Sequence, residues 1–245
     1  MLHRLGNKQQ IVNRILPYFP EHEIYIEPFF GAGGVFLNKT KVKFNFINDN
    51  NEDVFNLFMV LKNNNDEFLE SFHDLPIDQN LFNYWKKHEE KDPIQKALRF
   101  VMLSNYSHLG LSNTFTLLIR NIKNVTLSKI PKVNELLNDV RISNLDFERF
   151  LKSIPFEDDN MKNKSFIYAD PPYLNKTNNY GLKWTIEDTV RLFYVLTDLN
   201  IKFAMSETES DFIDFLAGHF KLNIIDLGEV RRLSTTRKEL LIINY

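Results

Sequence analysis

The chain contains no cysteine, which excludes disulfide bonds, thiolate catalysis and cysteine-ligated metal sites. It also lacks a stretch of about 18 consecutive apolar residues, the length that a membrane-spanning helix needs. The opening MLHRLGNKQQ has no apolar segment typical of a signal peptide. We therefore expect a soluble, cytoplasmic protein with no membrane partner.

Strong charge of either sign is absent as well, because the formal net charge is −2 over 245 residues. A nucleic-acid partner would need a local basic face, since attraction to phosphates depends on where the cations lie. The length is sufficient for one large domain, or for one domain that carries an insertion.

Glycine is scarce, yet three of the eight glycines lie within four positions, at Gly31, Gly33 and Gly34. They follow residues 23–27, whose alternation predicts a β-strand, and they precede a predicted helix. Such a turn brings a ligand close to the peptide amides. Asp49 comes 18 residues after Gly31, where an acidic side chain binds a ribose in nucleotide-binding sheets. The spacing is not G-x-G-x-x-G, so it predicts a nucleoside-containing cofactor other than NAD.

The segment YADPPY follows a second apolar strand, residues 165–169, so Asp170 lies at the carboxyl end of that strand. Pro171 and Pro172 lack N–H groups and have a fixed φ, which presents their carbonyls rigidly. An amino group on a planar ring has two N–H donors, which the Asp170 carboxylate and the Pro171 carbonyl could accept. Tyr173 could stack on the attached ring. The segment predicts attack by such a nitrogen, with positioning and electrostatics as the protein's contribution and no metal.

The order of elements predicts an α/β fold. Strand and helix patterns alternate over residues 1–61 and again over residues 140–245, as in a parallel sheet covered by helices. Helical patterns dominate residues 62–139, except for a polar stretch at 114–129 that favours β-structure. We interpret residues 62–139 as a mainly helical insertion.

The segments EPFFGAGGVFLNK and DPPY, in this order, resemble the Dam-like (D12 class) DNA adenine-N6 methyltransferases. RLGNKQQIVNRILPYFPEHEIYIEPF, NDNNEDVFNLF and NLDFERFL also resemble segments of that family. The resemblance implies a Rossmann-like sheet, S-adenosylmethionine as the cofactor and transfer of a methyl group to a flipped adenine. It implies a catalytic role for Asp170, Pro171, Pro172 and Tyr173. The residues that it places at the cofactor are Lys8, Glu27, Phe29, Gly31, Gly33, Asp49, Asp146, Phe147 and Asp170.

The resemblance also makes double-stranded DNA the partner and residues 62–139 the target-recognition insertion. We expect a hairpin from the segment at 106–132 to enter a groove of the DNA. A basic cluster before the last predicted strand is expected to bind phosphates. The predicted DNA contacts are Asn105, His108, Arg120, Lys123, Arg232 and Arg237. We expect a monomer, either an orphan enzyme or the partner of a separately encoded restriction endonuclease.

Other functions remain open at this point. A methyltransferase of this kind could act on adenine in RNA or on glutamine in a protein, although the glutamine enzymes usually carry Asn in place of Asp170. An inactive DNA-binding module would need to lose cofactor binding, which the intact Asp49, Asp170 and Tyr173 argue against. A Rossmann oxidoreductase is disfavoured by the glycine spacing and leaves DPPY unexplained.

Overall fold

A computed structural model of the protein describes residues 7–107, 113–116, 121–174, 184–232 and 235–245. The strands among them are β1 Ile24–Glu27, β2 Phe44–Asn48, β3 Val140–Ser143, β4 Ser165–Ala169, β5 Lys202–Thr208, β6 Asn223–Arg232 and β7 Thr235–Ile243. They form one sheet in the order β3-β2-β1-β4-β5-β7-β6. Strands β1 to β5 are parallel, whereas β7 runs antiparallel to both of its neighbours.

Helices cover both faces of this sheet. Those in the described residues are α1 Val12–Ile15, α2 Glu52–Asn63, α3 Asn65–Asp74, α4 Gln79–Lys87, α5 Pro93–Asn105, α6 Ile122–Leu137, α7 Phe147–Lys152, α8 Asp159–Asn163, α9 Ile186–Asp198 and α10 Asp211–His219. Helix α9 begins with the capping box that its sequence predicts, in which Thr185 and Asp188 bind each other's backbone N–H groups.

The central strands β1 and β4 are buried along their whole length, as expected for parallel strands with helices on both sides. Alternate residues point to opposite faces. Tyr25 and Tyr168 belong to the core beneath α1 and α2, while Ile26 and Ile167 belong to the core beneath α7, α9 and α10. This doubly wound α/β architecture confirms the predicted fold class.

The helices of the predicted insertion pack on α2 and extend the core of the sheet. Phe58 of α2, Phe72 of α3, Leu98 of α5 and Ile130 of α6 are all buried within one hydrophobic cluster that also contains Tyr25 of β1. Helices α3 to α6 are therefore attached to the sheet by continuous packing. The expected mainly helical character of this region is confirmed.

The β-structure expected over residues 114–129 is wrong from residue 122 onward, where α6 begins. The buried residues of α6 recur at helical spacing; they are Ile122, Thr126, Ile130, Val133 and Leu137. Helix α6 packs against α2 and α3, and this tertiary packing overrides the β-propensity of the individual side chains. No recognition hairpin therefore starts in the second half of that stretch.

The region after the glycine turn also differs from expectation. In place of the predicted helix the chain forms only a 3-10 turn at Phe36–Asn38 and then extends at Lys39. Strand β6 was not expected from the sequence, and it pairs with β7 to complete one edge of the sheet.

Candidate active site

The predicted site residues converge at the carboxyl ends of β1 and β4, where the strand order reverses direction. Ligands bind at such a switch point in doubly wound sheets. Glu27 ends β1 and Asp170 directly follows β4. Strand β7 runs the other way, so its early residues reach the same edge, and Glu239 lies opposite Thr208, the last residue of β5.

The glycine turn is held to the end of β2 by the predicted acidic partner. Gly31 and Gly33 have positive φ angles of 53° and 70°, which favour glycine. The Gly31 amide donates to Oδ2 of Asp49 at 2.6 Å, and the Asn51 amide donates to Oδ1 at 2.8 Å. Asp49 therefore fixes the shape of the turn from the neighbouring strand.

Gly34 lets the amino-terminal segment approach the turn. A Cβ atom at Gly34 would lie 2.9 Å from the backbone nitrogen of Lys8 and would collide with the side-chain oxygen of Asn7. Asn7 caps the 3-10 turn Lys8–Gln10 by accepting from the Gln9 amide. The close approach places the Lys8 side chain over the sheet edge, where it is only 3% exposed.

Lys8 is the centre of a buried charge cluster. Its Nζ atom lies 2.7 Å from Oδ1 of Asp170 and 2.9 Å from Oε1 of Glu239. It also donates to the hydroxyl of Tyr173, which in turn donates to Glu239. Burial alone lowers the pKa of Lys8, but the carboxylates of Asp170 and Glu239 outweigh that effect and raise it above the ordinary lysine value. Lys8 is therefore charged at neutral pH.

Tyr173 points into this cluster, so its ring is buried and its hydroxyl is bound. Burial, followed by the charges of Asp170 and Glu239, raises the pKa of Tyr173 well above its usual value. The phenol is therefore neutral. In this conformation the Tyr173 hydroxyl holds its loop to Glu239 of β7, and stacking of the ring on a bound base stays a prediction.

Glu27 is a second buried acid at the same edge. The hydroxyl of Tyr25 donates to Oε2 of Glu27 at 2.8 Å. Burial raises the pKa of Glu27 well above its usual value, the Tyr25 hydrogen bond opposes this effect, and the charge of Asp170 adds to it. Asp170 is 21% exposed, so of these carboxylates it is the one that faces solvent.

An aromatic cluster flanks the glycine turn on the side of α7. The rings of Phe29, Phe147 and Trp184 lie 5.4 to 5.7 Å apart by their centroids. The guanidinium of Arg191 lies 4.3 Å from the centroid of Phe147 and 2.9 Å from Oδ2 of Asp146. Asp146 also caps α7 by accepting from the Glu148 amide. The predicted cofactor residues Phe29, Asp146 and Phe147 are thus brought together.

Glu239, Trp184 and Arg191 belong to this arrangement but were not predicted from the sequence. One feature of the sequence could have identified Glu239, which is a single acidic residue directly before the apolar run LLII. An acidic residue beside such a run is unusual, because the strand is buried and an acidic side chain is rarely buried without a partner. Trp184 and Arg191 gave no signal beyond an aromatic residue and a cation on a predicted helix.

The predicted DNA contacts are not brought together in the same way. Asn105 is buried and donates to the hydroxyl of Thr126 at 3.2 Å, so its amide serves the interior. The Nζ atom of Lys123 donates to the backbone carbonyls of His73 and Leu75 at the end of α3. Both side chains are therefore used in packing the insertion.

The other predicted contacts lie on β6 and β7 or outside the described residues. Arg232 ends β6, and the partly buried Arg237 lies on β7. Lys238, from the same basic cluster, is paired with Glu209 and Asp226 at 2.8 and 3.2 Å. His108 and Arg120 lie outside the described residues.

The described part of the chain offers neither a membrane-spanning helix nor a metal site. None of the helices there is long and apolar enough to cross a membrane. No group of three or more His, Cys, Asp or Glu side chains in those ranges is arranged to hold a metal ion.

The doubly wound sheet, the glycine turn and the carboxylate at the switch point define the Rossmann-like methyltransferase class. The family model of the D12 class N6 adenine-specific DNA methyltransferases matches residues 5–233 of the sequence. The chain therefore belongs to this family, which confirms the resemblance seen in the sequence.

Individual relatives are more distant. DNA adenine methylase of Escherichia coli (strain K12) is 28% identical over 190 residues, which cover 71% of this chain and 66% of that protein. The match thus spans slightly less than two thirds of that methylase. Type II methyltransferase M.MjaIII of Methanocaldococcus jannaschii is 28% identical over an alignment of 286 positions, which covers 98% of this chain and 96% of that protein. Among solved structures, an rRNA methyltransferase from Streptomyces viridochromogenes aligns with a TM-score of 0.42 and 10% identity, over 99% of this chain and 86% of that one. That likeness is too low to carry an argument.

Proposed function

We propose that the protein is a site-specific DNA methyltransferase that transfers a methyl group from S-adenosylmethionine to the N6 amino group of a flipped adenine. The observation that carries the proposal is the placement of Asp170. Its carboxylate directly follows β4, is 2.7 Å from the Lys8 ammonium, and is followed by the carbonyl of Pro171. Family membership supports the same reaction.

The residues at the sheet edge fit the proposed cofactor. No other part of the described chain comes within 4 Å of the point where a Cβ of Gly31 would lie, so there is space beside the turn. Glu27, Gly31 and Gly33 would hold the methionine end of the cofactor, and Asp49 the ribose. The aromatic cluster would enclose the adenine ring of the cofactor, with the Asp146 carboxylate as an acceptor for its amino group.

The protein's part in the reaction is to hold the amino nitrogen of the target adenine. When bound, S-adenosylmethionine would supply the methyl group of its sulfonium, whose carbon–sulfur bond breaks in the transfer so that S-adenosylhomocysteine leaves as a neutral thioether. One N–H of the adenine donates to the Asp170 carboxylate and the other to the Pro171 carbonyl, which directs the nitrogen lone pair toward the methyl group. The nitrogen gains the methyl group and loses one proton. Asp170 holds the N–H that is lost, and its exposed edge lets the proton pass to solvent.

The DNA side of the proposal rests on the family and on the chemistry of a paired base. An adenine inside a duplex must be flipped out to reach Asp170. We propose residues 62–139 as the target-recognition insertion, with Arg232 and Arg237 as phosphate contacts. Double-stranded DNA is the proposed partner, a monomer the proposed state and the cytoplasm the proposed location. Relatives named as Type II methyltransferases support a separately encoded restriction endonuclease as a second partner.

The test is to incubate the protein with radiolabelled S-adenosylmethionine and unmethylated plasmid DNA, and then to map modified adenines by single-molecule sequencing. We expect N6-methyladenine within one short sequence motif. Asp170→Ala should abolish methyl transfer, because the amino group loses its carboxylate acceptor, while calorimetry should show cofactor affinity within about threefold of wild type. Activity near the wild-type level in Asp170→Ala would refute the mechanism. Methylation of RNA or of protein amines, with none on DNA, would refute the substrate.

A further inference from the structure

Glu239 occupies a position that stability alone does not explain. It is 1% exposed, and the residues that follow it on β7, Leu240 and Leu241, are buried in the two hydrophobic cores. Burying a carboxylate is costly even when it is paired, and a well-packed apolar side chain is often at least as stable in such a place. The position of the acid therefore indicates a role in the site.

The contacts of Glu239 reach Asp170 along two routes. In the first, Glu239 binds the Lys8 ammonium at 2.9 Å, and that ammonium binds Asp170 at 2.7 Å. In the second, Glu239 accepts from the Tyr173 hydroxyl, and Tyr173 is three residues beyond Asp170 on the rigid Pro-Pro segment. One carboxylate on the last strand thus holds both the counter-ion and the loop of the proposed acceptor.

We propose that Glu239 is a positioning residue for methyl transfer, which holds Lys8 and Tyr173 so that the Asp170 carboxylate faces the target amino group. The inference rests on the proposed function and deepens it. Removal of the Glu239 charge should act on the reacting geometry around Asp170, while the hydrogen bond from Gly31 to Asp49 keeps the shape of the glycine turn.

The chain offers a matched control for this charge. Glu23 pairs with Lys164 at 2.9 Å, the same distance as Lys8 to Glu239, but both of those side chains are about half exposed. Glu23 lies directly before β1, at the amino-terminal edge of the sheet, whereas Asp170 lies at the opposite, carboxyl-terminal edge. Glu23→Gln therefore repeats the chemical change of Glu239→Gln at an exposed pair remote from Asp170.

The first measurement is the single-turnover rate at saturating cofactor and DNA for wild type, Glu239→Gln, Glu239→Asp and Glu23→Gln. We expect Glu239→Gln to lower the rate about 100-fold, the size of effect that a small misplacement of a reacting group produces. The cofactor Kd should change less than about threefold. Glu239→Asp keeps the charge on a shorter stem and should recover part of the rate, and Glu23→Gln should match wild type.

The pH dependence distinguishes positioning by charge from a merely structural role. The groups facing the Lys8 ammonium are Asp170, Tyr173 and Glu239, with Glu207 of β5 close enough to act on Tyr173. Since the Glu239 carboxylate helps to raise the pKa of Lys8, its loss should move the alkaline limb of the rate profile to lower pH. Glu23→Gln should leave that limb unchanged.

Hydrogen exchange of the peptide spanning residues 165–174 reports on the loop without any methyl transfer. We expect faster exchange at Tyr173 and Leu174 in Glu239→Gln than in wild type or Glu23→Gln. Unchanged exchange, or a full single-turnover rate in Glu239→Gln, would overturn the inference. If the wild type transfers no methyl group and Glu239→Gln still exchanges faster than the wild type, the proposed function is refuted. The positioning of the loop by Glu239 is then supported on its own.

Discussion

Replacing Lys8 with methionine should destabilise the protein strongly, because it leaves two carboxylates at the buried end of the sheet without their shared cation. Methionine fills a similar volume but carries no charge. Breaking a buried ion pair by removing one partner costs about 3–5 kcal/mol. Domains of this kind have unfolding free energies of about 5–15 kcal/mol, so Lys8→Met should still fold but with a large part of its margin lost.

The pH dependence of this loss follows from the direction of the pKa shift. The pKa of Lys8 is raised in the folded state, so its contribution is fully present below the ordinary lysine pKa and is lost as the pH rises through the raised value. At pH 7 the wild type has the whole contribution. The deficit of Lys8→Met should therefore be constant below the ordinary lysine pKa and should narrow as the pH rises through the raised value.

Urea unfolding without cofactor or DNA, at pH 7 and at a pH above the ordinary lysine pKa of about 10.4, measures both effects. With a urea dependence of about 3 kcal/mol per molar, the midpoint of Lys8→Met should fall by about 1 M or more at pH 7. Lys164→Met removes the cation of the exposed pair with Glu23 and should change the midpoint little. Adding Glu239→Leu to Lys8→Met should restore part of the loss, since contacting residues are coupled. Equal midpoints for Lys8→Met and Lys164→Met would refute the reasoning.

Two further predictions concern the walls of the site. Gly34→Ala should lower the rate of methyl transfer at least about tenfold, because the new Cβ collides with Asn7 and pushes Lys8 away. The control is Gly218→Ala on α10, where the new Cβ meets open space, and it should have no effect in the same assay. Arg191→Met should weaken cofactor binding in calorimetry by about tenfold, because Asp146 loses its partner at 2.9 Å. An unchanged cofactor Kd in Arg191→Met would show that Asp146 needs no such support.

The sequence predicted the parts of the site that depend on local order. Gly31 and Asp49 were paired by their spacing alone, and the structure joins them by a direct hydrogen bond. Asp170 was placed by the apolar strand before it. In both cases a strand end fixes where the side chain must lie, and the strand is readable from its own residues.

Glu239 could not be placed in this way, because its role depends on which strands are neighbours. Strand β7 runs antiparallel between β5 and β6, and only that arrangement brings the start of β7 to the edge that holds Asp170. The β-structure predicted within residues 114–129 was wrong from residue 122 onward for a related reason, since the residues that α6 packs against are distant in sequence. Local preference favoured β-structure, and long-range packing decided for helix.

The continuous core between the sheet and α3 to α6 has a consequence for exchanging specificity between relatives. A chimera cut at residues 62 and 139 would divide a packed cluster, including Phe58 on one side of the cut and Phe72 and Ile130 on the other. Mismatched cores of that kind lose several kcal/mol. A chimera between relatives should therefore keep α2 to α6 on the sheet from which they come, so that this packed cluster stays whole.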